Sequence, residues 1–132
     1  MKSRPQIVGL GEVLSNVFPD GPRFGGAPAN FCCSAKEVGG EAFDVTMVSC
    51  VGADRHGENA VQEFQRRQVD VSFLTSVDRP TGQVLLSLDS SGQPSYRFLD
   101  DQVHGILFGT VECQHKYDVF VTSVETRERQ IF

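Results

Sequence analysis

FGGAPANFCCSAKEVGG, residues 24–40, predicts a glycine turn, a helix opened by proline and a glycine stop. Gly25 and Gly26 have no Cβ, so the backbone there can take positive φ and a bound molecule can approach it closely. Pro28 suits the first helical turn, and Gly39 suits the position just past the last turn. The stretch therefore sets the N-terminus of a helix directly after a sharp, open turn.

Asn30 falls in the first turn of this helix, where free backbone N–H groups and the positive end of the helix dipole point outward. Its amide carries both a hydrogen-bond donor and an acceptor. The turn and Asn30 together favour a site for hydroxyl groups or an anion. A Gly-Gly turn that serves only helix packing is the alternative, and the pattern alone leaves both open.

The run Gly-Gly-Ala-Pro-Ala-Asn at residues 25–30, followed by a helix of small residues ending in Gly39-Gly40, resembles a known signature. It is the first signature of the ribokinase/PfkB family of carbohydrate kinases, most closely of the fructokinase-like members. The resemblance covers roughly residues 7–125 and corresponds to the N-terminal part of such a kinase. It implies an α/β fold, with a ribokinase-like (Rossmann-like) parallel sheet flanked by helices, an inserted β-hairpin lid and an incomplete C-terminal end.

The composition bounds the class of protein. A chain of 132 residues, of which 39% are hydrophobic, suits one globular domain. The net charge of −5 argues against a nucleic-acid or anionic-membrane surface. No apolar run is long enough to span a bilayer, and Met1–Gln6 leads directly into a strand rather than a signal peptide. We therefore expect a cytoplasmic protein with no nucleic-acid and no membrane partner.

The cysteines and histidines give little sign of a metal site. Cys32 and Cys33 adjoin within the helix and predict small buried residues. Cys113-Gln114-His115 has no second pair of ligands beside it. His56 and His104 are isolated, which favours ordinary surface or loop positions. We expect no metal ligands and no cofactor bound by this chain alone.

The order of strands and helices predicts a parallel sheet with helices on its faces. A second helix at Glu58–Gln68 has apolar residues at helical spacing, and its Arg66-Arg67 pair predicts a solvated face. Gly9-x-Gly11 is not a dinucleotide fingerprint, because no helix starts where a third glycine would fall. The predicted strands are Ile7–Gly11, Val45–Val51 and Tyr117–Val124, and a further helix begins at Glu125–Phe132.

Asn16 lies in the run Glu12–Phe18 that continues the first predicted strand, and this strand gives way to a loop at Pro19. Gly11-Glu12-Val13-Leu14 followed by a polar side chain resembles the family's first substrate-contacting segment, where that side chain is usually an aspartate. Asparagine keeps one acceptor and replaces the other with a donor, so we expect sugar affinity to fall about one to two orders of magnitude. A turn-forming asparagine before Pro19 is the alternative.

Asp54 has two open interpretations. The segment Val51-Gly52-Ala53-Asp54 with Gly57 resembles a family turn near the substrate pocket. The same aspartate also suits the N-cap of the second helix.

Two alternating segments, Thr81–Asp89 and Ser95–Leu99, flank a run of turn residues and predict a β-hairpin at about residues 81–99. It resembles the family's lid, which covers the sugar and often pairs with a second subunit's lid. The resemblance implies that Arg97 and Phe98 contact the sugar, together with Asn16, Gly25, Gly26 and Asn30. A homodimer through this lid is one way to cover its apolar side chains, and a hairpin packed on its own domain is the other.

The family's catalytic machinery has no counterpart in this sequence. The resemblance implies a base in a Gly-Ala-Gly-Asp segment and an Asn-x-x-Glu segment that organises magnesium, and neither occurs in residues 1–132. No residue is therefore assigned as catalytic, and ATP and Mg²⁺ are expected only for a complete family enzyme. Three interpretations follow: the sugar-recognition half of a fructokinase-like kinase, a non-catalytic module that binds a sugar, a nucleoside or a partner subunit, or a gene remnant.

Overall fold

A computed structural model describes residues 4–99 and 119–120 of the chain. The described strands and helices are, in chain order, β1 (Gln6–Leu10), β2 (Leu14–Phe18), β3 (Gly21–Gly25), α1 (Ala27–Gly39), β4 (Asp44–Gly52), α2 (Arg55–Arg66), β5 (Asp70–Val77), β6 (Gly82–Leu88), β7 (Pro94–Phe98) and β8 (Val119–Phe120). A short 3₁₀ turn, Gly40–Ala42, links α1 to β4.

The first sheet is parallel, has the strand order β5-β4-β1-β8, and is called the parallel sheet below. Helices α1 and α2 pack against it, α1 on β1 and β4, and α2 on β4 and β5. The chain has the parallel sheet with flanking helices that the sequence predicts. Strand β8 pairs with β1 through Val8 and Val119, so the predicted strand around residue 119 returns to this sheet.

The second sheet has the strand order β3-β2-β6-β7. Its β2 and β6 run parallel, whereas β3 and β7 are antiparallel edge strands. Strands β6 and β7 form the predicted hairpin, which we call the lid hairpin. The hairpin is therefore not a separate flap, because it continues a sheet that already contains the segment with Asn16.

The hydrophobic core lies between the parallel sheet and the two helices. Gly9 of β1 lets α1 approach closely, because a Cβ there would collide with the Cys32 sulfur. The pair Gly9-x-Gly11 thus makes room for helix packing, since a Cβ at Gly11 would meet the Pro28 ring. The buried core residues are Val13, Ala29, Cys32, Cys33, Val45, Met47, Val51, Ala60, Phe64 and Val69.

Helix α1 has the limits that its sequence predicts, within one residue. Gly39 is its last residue, and Gly40 follows as the C-cap at a φ of 52°. Lys36 stabilises this end, because its Nζ donates to the carbonyl oxygens of Gly40 at 2.8 Å and Phe43 at 3.2 Å. A cation near exposed carbonyls suits the negative end of the helix dipole.

Three parts of the sequence prediction need correction. Helix α2 begins at Arg55 rather than Glu58 and ends at Arg66, because Asp54 caps it one turn earlier. Strands β3 and β5 were not predicted. Strand β3 contains Gly21 and Pro22, which are tolerated because β3 is an edge strand. Strand β5 is an edge strand with no buried residue, and its apolar alternation is interrupted at Leu74.

Other predictions fall on residues that the structure does not describe. These are His104, Cys113-Gln114-His115, most of the strand Tyr117–Val124 and the helix Glu125–Phe132.

Candidate functional site

The candidate site lies where β2, β3 and the start of α1 meet. Gly25 ends β3, and Gly26 is the N-cap of α1 at a φ of 108°, which L side chains rarely adopt. A Cβ at Gly26 would also lie 2.5 Å from the backbone oxygen of Glu12. Both the backbone angle and the close approach therefore require glycine at this turn.

No side chain caps the N-terminus of α1. The backbone N–H of Asn30 donates a hydrogen bond to the Gly26 carbonyl oxygen at 2.9 Å, which closes the first turn of the helix. The first turn also contains no acidic residue. The positive end of the helix dipole is thus not offset by a side-chain cap or by an acidic residue in the first turn.

Asn16 lies over Gly25. The two residues belong to the antiparallel pair β2 and β3, in which Leu14 is opposite Gly25 and Asn16 is opposite Arg23. A Cβ at Gly25 would collide with the Asn16 side-chain nitrogen, so this glycine leaves the space that the amide fills. The structure thus brings Asn16, Gly25 and Gly26 together, and Asn16 lies in a separate strand, β2, rather than in a continuation of β1.

Asn30 lies one turn further along α1 and is exposed. Its side chain lines a cavity of about 580 Å³ between α1, α2 and β3. The Arg66 and Arg67 side chains line the same cavity, and both bind Glu63 Oε2, at 2.8 and 3.3 Å. The predicted solvated face of α2 is confirmed, and it also forms one wall of this cavity.

Phe98 shares a face of the second sheet with Asn16, whereas Arg97 does not. Asn16 is the register partner of Val84, which in turn is the partner of Phe98. Partners in a ladder point to the same face, and neighbours along a strand point to opposite faces. Arg97 therefore lies on the opposite face from Asn16, and a ligand over Asn16 can meet Phe98 but not Arg97 from the same side.

Five apolar and aromatic side chains of the lid hairpin also lie on the Asn16 face, whereas Leu85 lies on the opposite face. Their exposure rises toward the hairpin turn and the outer strand: Val84 is 4% exposed, Phe98 51%, Tyr96 60% and Leu88 67%. Leu86 completes the row as the register partner of Tyr96. All three exposed large apolar residues of the second sheet lie on this face.

Asp54 caps α2 and also binds Thr81, the residue directly before the first strand of the lid hairpin. Its Oδ1 accepts hydrogen bonds from the Gly57 amide at 2.9 Å and from the Thr81 hydroxyl at 2.6 Å. Its Oδ2 accepts from the Thr81 amide at 2.8 Å. Burial alone would raise the pKa of Asp54, but these hydrogen bonds, with His56 nearby, outweigh it and hold the pKa below its ordinary value.

Sequence reasoning identified the cap but missed the partner of its carboxylate. Thr81 is 27 residues away from Asp54 and was recognised only as the start of a strand. The Asp-x-x-Gly pattern at residues 54–57 predicts a helix N-cap. It does not predict the hydrogen bonds between Asp54 and Thr81.

His56 is not a loop residue as predicted, because it lies in the first turn of α2. Its Nδ1 is 3.1 Å from the Ser15 hydroxyl oxygen of β2 and shares a hydrogen bond with it. This contact joins residues 41 positions apart, so no local sequence pattern predicts it. Ser15 is also the residue directly before Asn16.

Cys32 and Cys33 are buried in the core, as predicted, and Cys50 of β4 is buried as well. Burial raises the pKa of Cys32 to about 11, with a further contribution from neighbouring Cys33. Such a thiol remains protonated and inert at neutral pH.

Within residues 4–99 and 119–120, no group of three or more His, Cys, Asp or Glu side chains is arranged to hold a metal ion. Neither of the two described helices is long and apolar enough to cross a membrane.

Residues 11–116 match the pfkB family carbohydrate kinases, and the chain belongs to this family. The ATP-dependent 6-phosphofructokinase of Thermoanaerobacterium thermosaccharolyticum is 28% identical over 81 residues, which are 61% of this chain and 24% of that relative. Fructokinase-like and phosphofructokinase-like sugar kinases are thus the relatives of this domain.

Solved structures of sugar kinases share the fold. The fructokinase from Vibrio cholerae O395 in its apo form has a TM-score of 0.65 at 27% identity, with 74% of this chain and 34% of that one covered. The fructokinase from Xylella fastidiosa has a TM-score of 0.65 at 24% identity, with 78% and 34% covered. The ribokinase from Thermotoga maritima shares the fold alone, at 17% identity, a TM-score of 0.57, and 73% and 36% covered.

The chain spans between about a quarter and a third of the length of these relatives. The Vibrio fructokinase has also been solved with fructose, ADP and calcium ion bound. The family therefore includes proteins that bind a sugar and a nucleotide, within chains much longer than the part compared here.

Proposed function

We propose that this chain forms the sugar-recognition part of an ATP-dependent carbohydrate kinase of the fructokinase type. In the complete enzyme, the γ-phosphoryl group of ATP would pass to a hydroxyl group of the sugar, with Mg²⁺ on the phosphates. The observation that carries the proposal is the contact of Asn16 with Gly25 beside the uncapped N-terminus of α1, in a chain of this family.

Sugar hydroxyls are both donors and acceptors, and the proposed site offers both. The Asn16 and Asn30 amides each supply a donor and an acceptor, and the backbone of Gly25 and Gly26 allows close approach. Phe98 would cover the sugar from the lid hairpin. Arg97 is the weakest member of the proposed set, because its strand position faces away from Asn16.

The chain alone would be inactive as a kinase. Removal of a general base typically costs about 10²–10⁴-fold in rate, and the sequence has no Gly-Ala-Gly-Asp segment to supply one. Nucleotide and magnesium binding would thus come from parts of an enzyme that these 132 residues do not contain. The sugar is proposed as fructose or fructose 6-phosphate, which the names of the similar kinases suggest.

A calorimetric titration with a sugar panel tests the site. Fructose and fructose 6-phosphate are titrated into the chain and into its Asn30→Ala variant, and we expect the variant to bind about tenfold more weakly because it leaves a sugar hydroxyl unpaired. Gln65→Ala is the matched control, since Gln65 is an exposed side-chain amide of α2 that does not line this cavity. Equal heats for the chain and for Asn30→Ala would rule out this pocket.

Asn16→Asp separates a kinase-type sugar site from a non-catalytic module. A carboxylate accepts charge-assisted bonds from two hydroxyls, about twice as strong as neutral ones, so a kinase-type site should bind sugar more tightly in this variant. Loss of binding would instead mean that Asn16 serves a different ligand and would favour the non-catalytic module.

The proposed homodimer rests on the exposed apolar face of the lid hairpin. Tyr96 and Phe98 are more than half exposed, and a second lid placed face to face would cover both. Sedimentation equilibrium should give a dimer for the chain and a monomer for the double variant Tyr96→Ser, Phe98→Ser. A monomeric parent chain at all concentrations would contradict this part of the proposal.

A further inference from the structure

The first turn of α2 is attached to both central strands of the second sheet. Asp54 binds Thr81, which directly precedes β6, through its hydroxyl at 2.6 Å and its amide at 2.8 Å. His56 binds the Ser15 hydroxyl of β2 at 3.1 Å. The first turn of α2 and its N-cap thus contact both β2 and the residue before β6; these two strands form the parallel pair of the second sheet.

These attachments lie close together at one end of the β2–β6 ladder. Gly82, the residue after Thr81, is the register partner of Leu14, and Ser15 is the partner of Gln83. The next row contains Asn16 and Val84. The first turn of α2 therefore holds β2 one residue before Asn16 and β6 three residues before Val84, the partner of Asn16.

The Asp54 carboxylate does more than cap α2, because it also joins α2 to Thr81; we call this set of contacts the Asp54–Thr81 joint. A cap needs one carboxylate oxygen, and Asp54 Oδ1 supplies it to the Gly57 amide. The second oxygen is used entirely by the amide of Thr81, a residue that is 1% exposed. The Thr81 hydroxyl also accepts from the Gly52 amide at 2.9 Å, which ties the end of β4 to the same joint.

We propose that Asp54 and His56 are positioning residues that fix the second sheet to the parallel sheet and thereby hold Asn16 over Gly25. This inference rests on the proposed function, because Asn16 has a sugar to contact only if that function is right. Neither side chain need touch the sugar, since both act through the strands that contain Ser15 and Thr81.

Asp54→Asn separates this role from capping. Asparagine caps helices about as well as aspartate, so α2 should persist by circular dichroism. Its side-chain NH₂ cannot accept from the Thr81 amide, which leaves a buried donor unpaired. We expect sugar affinity to fall about tenfold by calorimetry, and the amides of Gly82–Leu88 to exchange faster while those of β1 do not change.

Asp89→Asn is the matched control. Asp89 lies in the turn of the same hairpin, and its carboxylate likewise accepts three hydrogen bonds: from the Ser91 amide at 2.8 Å, the Ser91 hydroxyl at 2.6 Å and the Gln93 amide at 2.9 Å. It is at the far end of β6 from Thr81, so its loss should leave sugar affinity unchanged. Thr81→Ser, which keeps the hydroxyl, should behave as the parent chain, and Thr81→Val should behave as Asp54→Asn.

The outcomes separate the two proposals. If the parent chain binds sugar and Asp54→Asn binds it equally well, the positioning role is overturned and the proposed function stands. If the parent chain binds neither fructose nor fructose 6-phosphate, the proposed function fails. The exchange experiment then decides alone: faster exchange of β6 in Asp54→Asn supports the attachment, and unchanged exchange overturns it.

Discussion

The parallel sheet and the second sheet each have four strands, but their side chains differ greatly in burial. Seven of the nine residues of β4 are buried, whereas all five residues of β7 are exposed. The parallel sheet is covered by two helices and contains most of the core. The second sheet contacts α2 through the hydrogen bonds of Asp54 with Thr81 and of His56 with Ser15. The Phe24 ring of β3 also packs on Phe64 of α2.

This difference assigns separate physical roles to the two sheets. Buried apolar area provides most of the folding free energy, so the parallel sheet and its helices should supply the stability of the domain. Elements with few buried contacts open at lower free energy, and parts that move in binding are drawn from them. The candidate sugar site lies at the boundary, with the start of α1 on one side and Asn16 on the other.

The largest contrast should come from two phenylalanines. Phe64 is 0% exposed and packs edge-to-face on Phe24 of β3, with ring centroids 5.0 Å apart. Phe64→Ala should lower the free energy of unfolding by about 3–5 kcal/mol. Phe98 is 51% exposed, so Phe98→Ala should cost less than about 1 kcal/mol. Urea unfolding measures both, and similar losses would mean that the lid hairpin is as well packed as the core.

Cysteine labelling should give the next largest contrast, between the core beneath the parallel sheet and the lid hairpin. The pKa of Cys32 is raised from 9.0 to about 11, so its thiolate fraction is about 100-fold below that of a free thiol. At pH near 8, iodoacetamide should leave Cys32 unmodified in the native chain and modify it in urea. A cysteine introduced by Ser87→Cys on exposed β6 should react at once in the native chain. Rapid native labelling of Cys32, read by peptide mass, would show that the core opens easily.

Gly26→Ala should weaken the junction between the sheets. The new Cβ would meet the Glu12 carbonyl oxygen at 2.5 Å, and the φ of 108° is unfavourable for alanine. We expect a loss of about 1–3 kcal/mol in thermal unfolding. Gly21→Ala is the control for φ alone, because Gly21 has a φ of 134° with no atom within 4 Å of a built Cβ. A Gly26 variant no less stable than the Gly21 variant would argue against the close contact with Glu12.

The smallest effect concerns acid. The pKa of Asp54 lies below its ordinary value of 3.8 in the folded chain, so its ionised form adds stability that is complete above the unfolded pKa. That contribution disappears as the pH falls through the lowered folded value. The chain should be about 1–2 kcal/mol more stable than Asp54→Asn near neutral pH, and the difference should shrink below pH 3.8. A difference that stays constant down to acid pH would mean that the carboxylate charge does not matter.

Much of the fold is predictable from local patterns. Apolar runs bounded by glycine define β1 and β4, and the Gly-Gly-Ala-Pro-Ala-Asn run defines the start of α1. The edge strands were missed because edge strands tolerate the composition of loops. Strand β3 holds Pro22, and β5 exposes most of its side chains.

The geometry of the candidate site is less predictable, because it depends on pairing between distant strands. The contact of Asn16 with Gly25 follows only once β2 and β3 are known to pair. The face of Arg97 depends on the register of β7, and a shift of one residue would reverse it. The Asp54–Thr81 joint spans 27 residues and has no local signature at all.

Amide hydrogen exchange with and without sugar tests the central claim, that the sugar binds where the two sheets meet. Fructose and fructose 6-phosphate are each added at saturating concentration, and exchange is followed residue by residue. We expect one of them to slow exchange in β2, in β3 and in the first turn of α1, with β4 unchanged because it is already protected. Protection confined to other elements, or none with either sugar, would contradict this account of the site.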